Sequence, residues 1–214
     1  MTAGARPPLG ITAEVFFDSW LPEAFAAWTG SAPSNAPSLR LGLSGAEGGE
    51  WDLAVSGRAL SIARNQRAPG PRRPDDEDNA PDVWLRLSVA DFFALFHDDP
   101  DLPRLVPESS DLFDLLFADE SAGELVRALD GRLRVEIEGR RRRRFSLDVA
   151  FGPNGRRAGQ PRAIVRVDGA TLEKVLAGTL SPLEALLAPG LRLEGDRGLA
   201  LKILMLAAAR APRR

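Results

Sequence analysis

The sequence predicts a mixed fold of α-helices and β-hairpins, on three observations. Short apolar alternations bounded by glycine and proline recur along the chain, stretches of helical spacing separate them, and the same order of elements occurs twice. The composition is globular: 214 residues, 44% hydrophobic and 27% charged. The net charge of −2 hides a split, because residues 1–110 hold 9 basic and 16 acidic side chains and residues 111–214 hold 19 and 14. The halves should attract each other, and with no global basic field nucleic acid is not an expected partner. The absence of cysteine and the single histidine, His97, exclude disulfide frameworks, thiol nucleophiles and Cys- or His-clustered zinc sites.

Ile11, Val15, Phe16, Trp20, Phe25 and Trp28 follow helical spacing after Thr12, a candidate N-cap, so 11–28 reads as an amphipathic helix bent at Pro22. Ser31–Pro37 reads as a loop. Leu39, Leu41 and Leu43 alternate, as do Trp51, Leu53 and Val55 after Gly48-Gly49, which predicts a β-hairpin with one buried face; Leu60 and Ile62 suggest a third strand. The stretch 67–82, rich in Pro and Arg and then carrying Asp75, Asp76, Glu77 and Asp78, cannot bury a core face and is expected to be a mobile surface loop. Val83–Val89 reads as a strand and Ala90–Phe96 as a helix.

The second half repeats this order. Leu39 to Gly45 lies over Leu133 to Gly139 at a shift of 94, and Trp51, Leu53 and Val55 lie over Phe145, Leu147 and Val149 at the same shift with no gap. Leu85, Arg86 and Leu87 lie over Val165, Arg166 and Val167 at a shift of 80, and Phe92, Leu95 and Phe96 over Leu172, Val175 and Leu176. An internal duplication with a longer acidic loop in the first copy explains both shifts. The second copy then continues with Ser181 and Pro182 opening a short helix, Leu191–Gly195 alternating as a strand, and Asp196 capping a helix over 197–209. That last helix is apolar nearly all round apart from Lys202, which predicts burial on more than one side, either as a core helix or as the cover of an apolar cavity.

The runs Ala163-Ile164-Val165-Arg166-Val167, Leu172 to Gly178, Leu180-Ser181-Pro182-Leu183-Glu184-Ala185-Leu186, Leu191-Arg192-Leu193-Glu194-Gly195-Asp196 and Gly198-Leu199-Ala200-Leu201-Lys202 together resemble the sterol carrier protein-2 (SCP2) family. With the hairpin 133–151 and a helix within 112–129, the resemblance covers about 112–209. It implies an α+β fold, a twisted, mainly antiparallel sheet with helices on one face, and an apolar tunnel for sterols, acyl chains or other lipids. It also implies no catalytic residues and no cofactor, and some family members serve as accessory or dimerisation modules of enzymes. The sequence departs from the family in Thr179, where a basic residue is common, and in its extra truncated first copy, which could cover the tunnel of the second.

The tunnel that the resemblance implies would be lined by Phe145, Leu147 and Val149 on the sheet, by Leu172, Val175, Leu176, Leu183, Leu186 and Leu187 on the middle helices, and by Leu199, Ile203 and Leu206 on the last. The alternative is that these side chains simply pack together. The arginine run Arg140, Arg141, Arg142, Arg143 and Arg144 stands at an expected hairpin tip, where it would attract anionic head groups, or else remain solvated or meet the acidic loop. His97 before Asp98 and Asp99 reads as a helix end in an acidic loop rather than a metal site. Asp148, Asp168 and Asp196 lack the paired spacing of acid–base chemistry, and Gly152–Gly159 reads as a turn.

These readings give a degenerate repeat over 1–108 and an SCP2-like lipid-binding domain over 109–214. The expected protein is cytoplasmic, bacterial on its 26 Arg to 2 Lys, and not an enzyme. Its expected partners are an apolar small molecule, an anionic membrane surface in transient contact, and a partner enzyme. The second function class is an interaction or scaffold protein, accessory to a lipid-metabolising enzyme, that has lost the cavity.

Overall fold

Eight strands form one sheet in the order β3-β2-β1-β4-β6-β5-β7-β8. The computed structural model describes residues 6–30, 36–65, 81–103, 120–156 and 160–210. The predicted loops at Ser31–Pro37 and 67–82, and the start of the helix within 112–129, lie wholly or largely outside them. The strands are β1 Leu39–Ser44, β2 Gly49–Ser56, β3 Ala59–Arg64, β4 Val83–Ser88, β5 Gly131–Glu138, β6 Arg144–Phe151, β7 Ala163–Asp168 and β8 Leu191–Gly195. Five of the seven pairings are antiparallel; β1–β4 and β5–β7 are parallel. The architecture is therefore α+β with a mainly antiparallel sheet.

The first helix, α1, runs through Ala13–Val15, a π-helical turn Phe16–Trp20 and Leu21–Ala27. Thr12 caps it as expected, its hydroxyl accepting the Val15 N–H at 3.2 Å. The bend expected at Pro22 is instead a widened turn before it. The Leu21 N–H reaches back to the Phe16 carbonyl, and Pro22 has no N–H to give the Asp18 carbonyl. Helix α2, Val89–Ala94, is capped by Ser88. Then come α3 Glu120–Arg127, α4 Gly152–Arg156, α5 Gly169–Leu176, α6 Pro182–Ala185 and α7 Arg197–Arg210. The predicted turn at Gly152 is thus a single helical turn, held where Asn154 donates through its backbone N–H (2.9 Å) and its side-chain amide to Asp130.

The alternation of the strands sends most of their apolar residues to one face, with Trp84, Ala150 and Ile164 among the exceptions, and α1, α2, α3, α5 and α7 cover that face. Trp51 is fully buried beneath Phe17, with ring centroids 4.4 Å apart, and Phe16 meets Phe92 edge-on at 4.9 Å. This aromatic core fills the first half. The other face carries arginine–carboxylate pairs in place of a second core. Arg40 grips Asp52 through two bonds of 2.5 and 2.8 Å, and Arg134 grips Asp148 through two of 2.7 and 3.0 Å. The bonds it donates to Asp148 hold the Arg134 guanidinium pKa above its ordinary value.

The strand order β2-β1-β4 recurs as β6-β5-β7 with the same pairing senses. Leu41 faces Leu85 and Val135 faces Val165, which matches the sequence offsets of 94 and 80. The hairpins depart from the expected gapless shift: Leu41 faces Trp51, but Val135 faces Leu147. Five residues separate Leu43 from its partner Gly49, whereas seven separate Ile137 from Phe145. A slip of two leaves every side chain on its original face, so the apolar pattern is blind to it. The Arg40–Asp52 and Arg134–Asp148 pairs occupy corresponding places in this register.

Asp196 opens α7, accepting the Leu199 N–H at 3.0 Å and Arg162 Nη2 at 2.6 Å. The Leu199 bond first, then the Arg162 charge, hold its carboxyl below the usual range. A pKa depressed in the folded state contributes stability above the ordinary carboxylate range and loses it as pH falls. Wild type should therefore exceed Asp196→Asn in urea unfolding at neutral pH, with the difference shrinking below about pH 4. An equal difference at both pH values would show that the charge contributes nothing.

Candidate functional site

The apolar face of β5, β6 and β7 is not evenly covered. At one end Ile137, Phe145 and Val167 join the core beneath α1 and α2, and at the other Leu133, Phe151, Ala163 and Val165 join a second core beneath α3 and α7. Between the two lies a strip of half-buried apolar residues: Leu85 on β4, Val135 on β5, Leu147 and Val149 on β6, and Leu191 and Leu193 on β8. Val135 and Leu191 touch both cores. Side chains on the central strands of a covered sheet should be its most buried, and here Leu85, Val135, Leu147 and Val149 are less buried than their neighbours along the strands, whereas Leu191 and Leu193 lie on the edge strand beyond the buried Val165.

Of the residues proposed from sequence, Phe145 and Leu199 are buried inside the two cores. Leu147 and Leu172 lean on the first core, Val149 and Ile203 on the second. Val175 and Leu186 are half-buried. Leu176 is exposed, and Leu183 and Leu187 are 61% and 90% exposed, so they stand outside the strip; α6 turns Ala185 inward instead. The Leu206 side chain lies outside the described residues. Over the described side chains of α7, residues 197–203, the expectation of burial on more than one side is corrected: Leu199 and Ala200 are buried, but Leu201 is exposed. Leu85, Val135, Leu191 and Leu193 were not singled out by sequence reasoning. The alternation of β5 and β8 could have supplied three of them, whereas Leu85 belongs through its pairing with Val149 across the two halves.

The arginine run forms the tip of the β5–β6 hairpin as expected, with a 3₁₀ turn at Arg140–Arg142. Its members do different things. Arg143 donates to Asp91 at 2.6 Å and Asp99 at 3.2 Å, both in the first half. Burial opposes its charge, but Asp91 and Asp99 outweigh that and raise its pKa. The Arg140 backbone N–H donates to the Asp101 carbonyl at 2.6 Å, a close approach that leaves no room for a side chain at Gly139. Arg141 stands 3.8 Å from Asp101 and Arg144 3.9 Å from Glu138, loosely and in solvent. The acidic stretch Asp75–Asp78, the other expected contact, lies outside the described residues.

His97 ends the turn after α2, its N–H bonded to the Phe93 carbonyl at 3.0 Å and its ring over that of Phe93. Among the described residues no group of three or more His, Asp or Glu side chains could hold a metal ion. Asp168 and Asp196 are helix caps and Asp148 is an ion-pair partner. The arrangement offers an apolar strip across the middle of the sheet and, beyond the buried Ile137 and Phe145, a cationic loop at the end of the β5–β6 hairpin.

Residues 111–208 match the model of the SCP-2 sterol transfer family. The match bears out the SCP2 resemblance read over 112–209 and spans every element from α3 into α7, including most of the strip and the arginine tip. Leu85 and the aromatic core of the first half lie outside the SCP2 match. The chain is similar to the solved sterol carrier protein domain 2 of Helicoverpa armigera, at 14% identity over 49% of this chain and 83% of that one, with a TM-score of 0.34. It is also similar to the apo form of sterol carrier protein 2 from Yarrowia lipolytica, at 15% identity over 49% and 88%, with a TM-score of 0.34. A search of the curated proteins found no match. Among the described residues no helix is long and apolar enough to cross a membrane.

Proposed function

We propose that residues 109–214 form a non-catalytic lipid-binding module that holds a sterol, acyl or isoprenoid chain along the apolar strip. The observation that carries this reading is the half-buried strip at Val135, Leu147 and Val149, between two closed cores and within the SCP2 match. An apolar chain laid there gains about 25 cal/mol for each Å2 removed from water, which the solvent-open strip otherwise forfeits. Leu172 of α5 and Ile203 of α7 would flank the ligand, with Val175 and Leu186 beyond them. On the same reading, residues 1–108 are a second copy of the unit whose ligand space is taken by Phe16, Phe17 and Trp51. The repeated strand order and the repeated Arg–Asp pair support that duplication.

The scaffold reading, in which the module assists a lipid-metabolising enzyme, is favoured by one observation: Leu183 on α6 and Leu187 in the turn after it are apolar and exposed. Native mass spectrometry of protein purified from cells, followed by solvent extraction, separates the two. The lipid reading predicts an added mass that extraction removes as a lipid. A bare chain whose binding is restored by no added fatty acid or sterol would overturn it.

A further inference from the structure

We propose that the end of the sheet formed by the β5–β6 tip and the α6–β8 turn is a docking edge for an anionic lipid surface. The first observation is that the tip separates its arginines by function. Arg143 is neutralised by two carboxylates, whereas Arg140, Arg141, Arg142 and Arg144 extend into solvent with, at most, one distant carboxylate each.

The second observation is backbone strain. Arg141 and Arg142 have φ of 49° and 63°, the left-handed region in which glycine is comfortable and a branched-out cationic side chain is not. Turn geometry alone would be met more easily by glycine at both positions, so the two side chains are present at a structural cost. What they add is charge, concentrated at a protruding loop.

The third observation is an apolar neighbour. Leu187 is 90% exposed three residues before Gly190, whose carbonyl accepts the Asp168 N–H at 2.9 Å. Asp168 pairs with Glu138, and Glu138 pairs with Arg144, the base of the arginine tip. These steps across adjacent strands put the α-carbons of Leu187 and Arg144 within roughly 25 Å, at the same end of the sheet. Arginines that attract phosphates at the same end of the sheet as a leucine that is 90% exposed match a bilayer interface, which offers negative charge at its surface and hydrocarbon just beneath. A nucleic acid would satisfy the charges and leave Leu187 without a role.

The inference does not depend on the strip's taking up lipid, and the two fail separately: a protein can dock and remain empty, or bind a free fatty acid and ignore vesicles. Because the chain has no cysteine, Leu187→Cys can carry a single environment-sensitive fluorophore, with Ser61→Cys on β3, at the far edge of the sheet, as the control. Both are mixed at low salt with vesicles of phosphatidylcholine alone and of phosphatidylcholine with phosphatidylglycerol. The expected result is a blue shift at position 187 with the anionic vesicles only, none at position 61, and reversal by salt. Combining Arg140→Ser, Arg141→Gly, Arg142→Gly and Arg144→Ser should weaken co-sedimentation at least about tenfold. If that variant fails to fold, Arg142→Glu alone should still lower binding. Absence of binding to anionic vesicles, binding untouched by the arginine changes, or binding in which position 187 stays in water would each overturn the proposal.

Discussion

Replacing Arg143 with alanine should cost about 3 to 5 kcal/mol of stability, the loss typical of a buried ion pair with one partner removed. Asp91 is only 6% exposed, and among the described residues its carboxylate accepts Arg143 at 2.6 Å and, beside it, the Ser146 N–H at a long 3.4 Å. Without the guanidinium the carboxylate stays buried with one weak hydrogen bond. Urea unfolding is the measurement. Arg142→Ala, in the same turn but in solvent, should stay within about 0.5 kcal/mol of wild type. The double change Arg143→Ala with Asp91→Ala should lose less than the sum of the single losses, because removing both charges also removes the stranded one. Strict additivity would mean that the pair contributes no coupling.

This arginine also says how the two halves are held together. The opposite net charges of residues 1–110 and 111–214 predicted attraction, and the structure concentrates it in a few contacts: Arg143 with Asp91 and Asp99, and Arg127 with Asp82 at 3.2 Å. Beside them the β4–β6 pairing runs from Val83 opposite Phe151 to Arg86 opposite Asp148. The seam therefore combines backbone bonds with a few ion pairs. Arg143→Ala removes only the second kind.

Local signals were legible in the sequence because they act over a few residues. Thr12, Ser181 with Pro182, and Asp196 each open the helix expected of them, since a cap needs only a side chain and an N–H three residues on. Both hairpins and β8 followed from alternation. Three things were not legible, each for a physical reason. The two-residue slip between hairpins is invisible to a period-two pattern. The exposure of Leu183 and Leu187 was missed because α6 has four residues, too few to define a face, and lies between α5 and α7, where the small Ala185 fits. The place of Leu85 in the strip depends on β4 meeting β6, a contact between distant strands that leaves no local mark.

Leu147→Trp should abolish lipid binding and leave the fold intact. Leu147 is half-buried at the centre of the sheet, between the two cores. If the space above it accepts a ligand, the indole takes that space: binding should fall, about tenfold for every two methylenes displaced, while stability changes little. Leu53→Trp, in the closed aromatic core, should instead lose about 1 to 3 kcal/mol through overpacking and leave binding intact. The deciding measurement is displacement of a fluorescent fatty acid from wild type and both variants, run beside thermal melts. A strip that holds a ligand predicts binding by wild type and Leu53→Trp and loss of binding with an almost unchanged melt in Leu147→Trp. No binding by wild type, or a destabilised Leu147→Trp that binds as well as wild type, would contradict it.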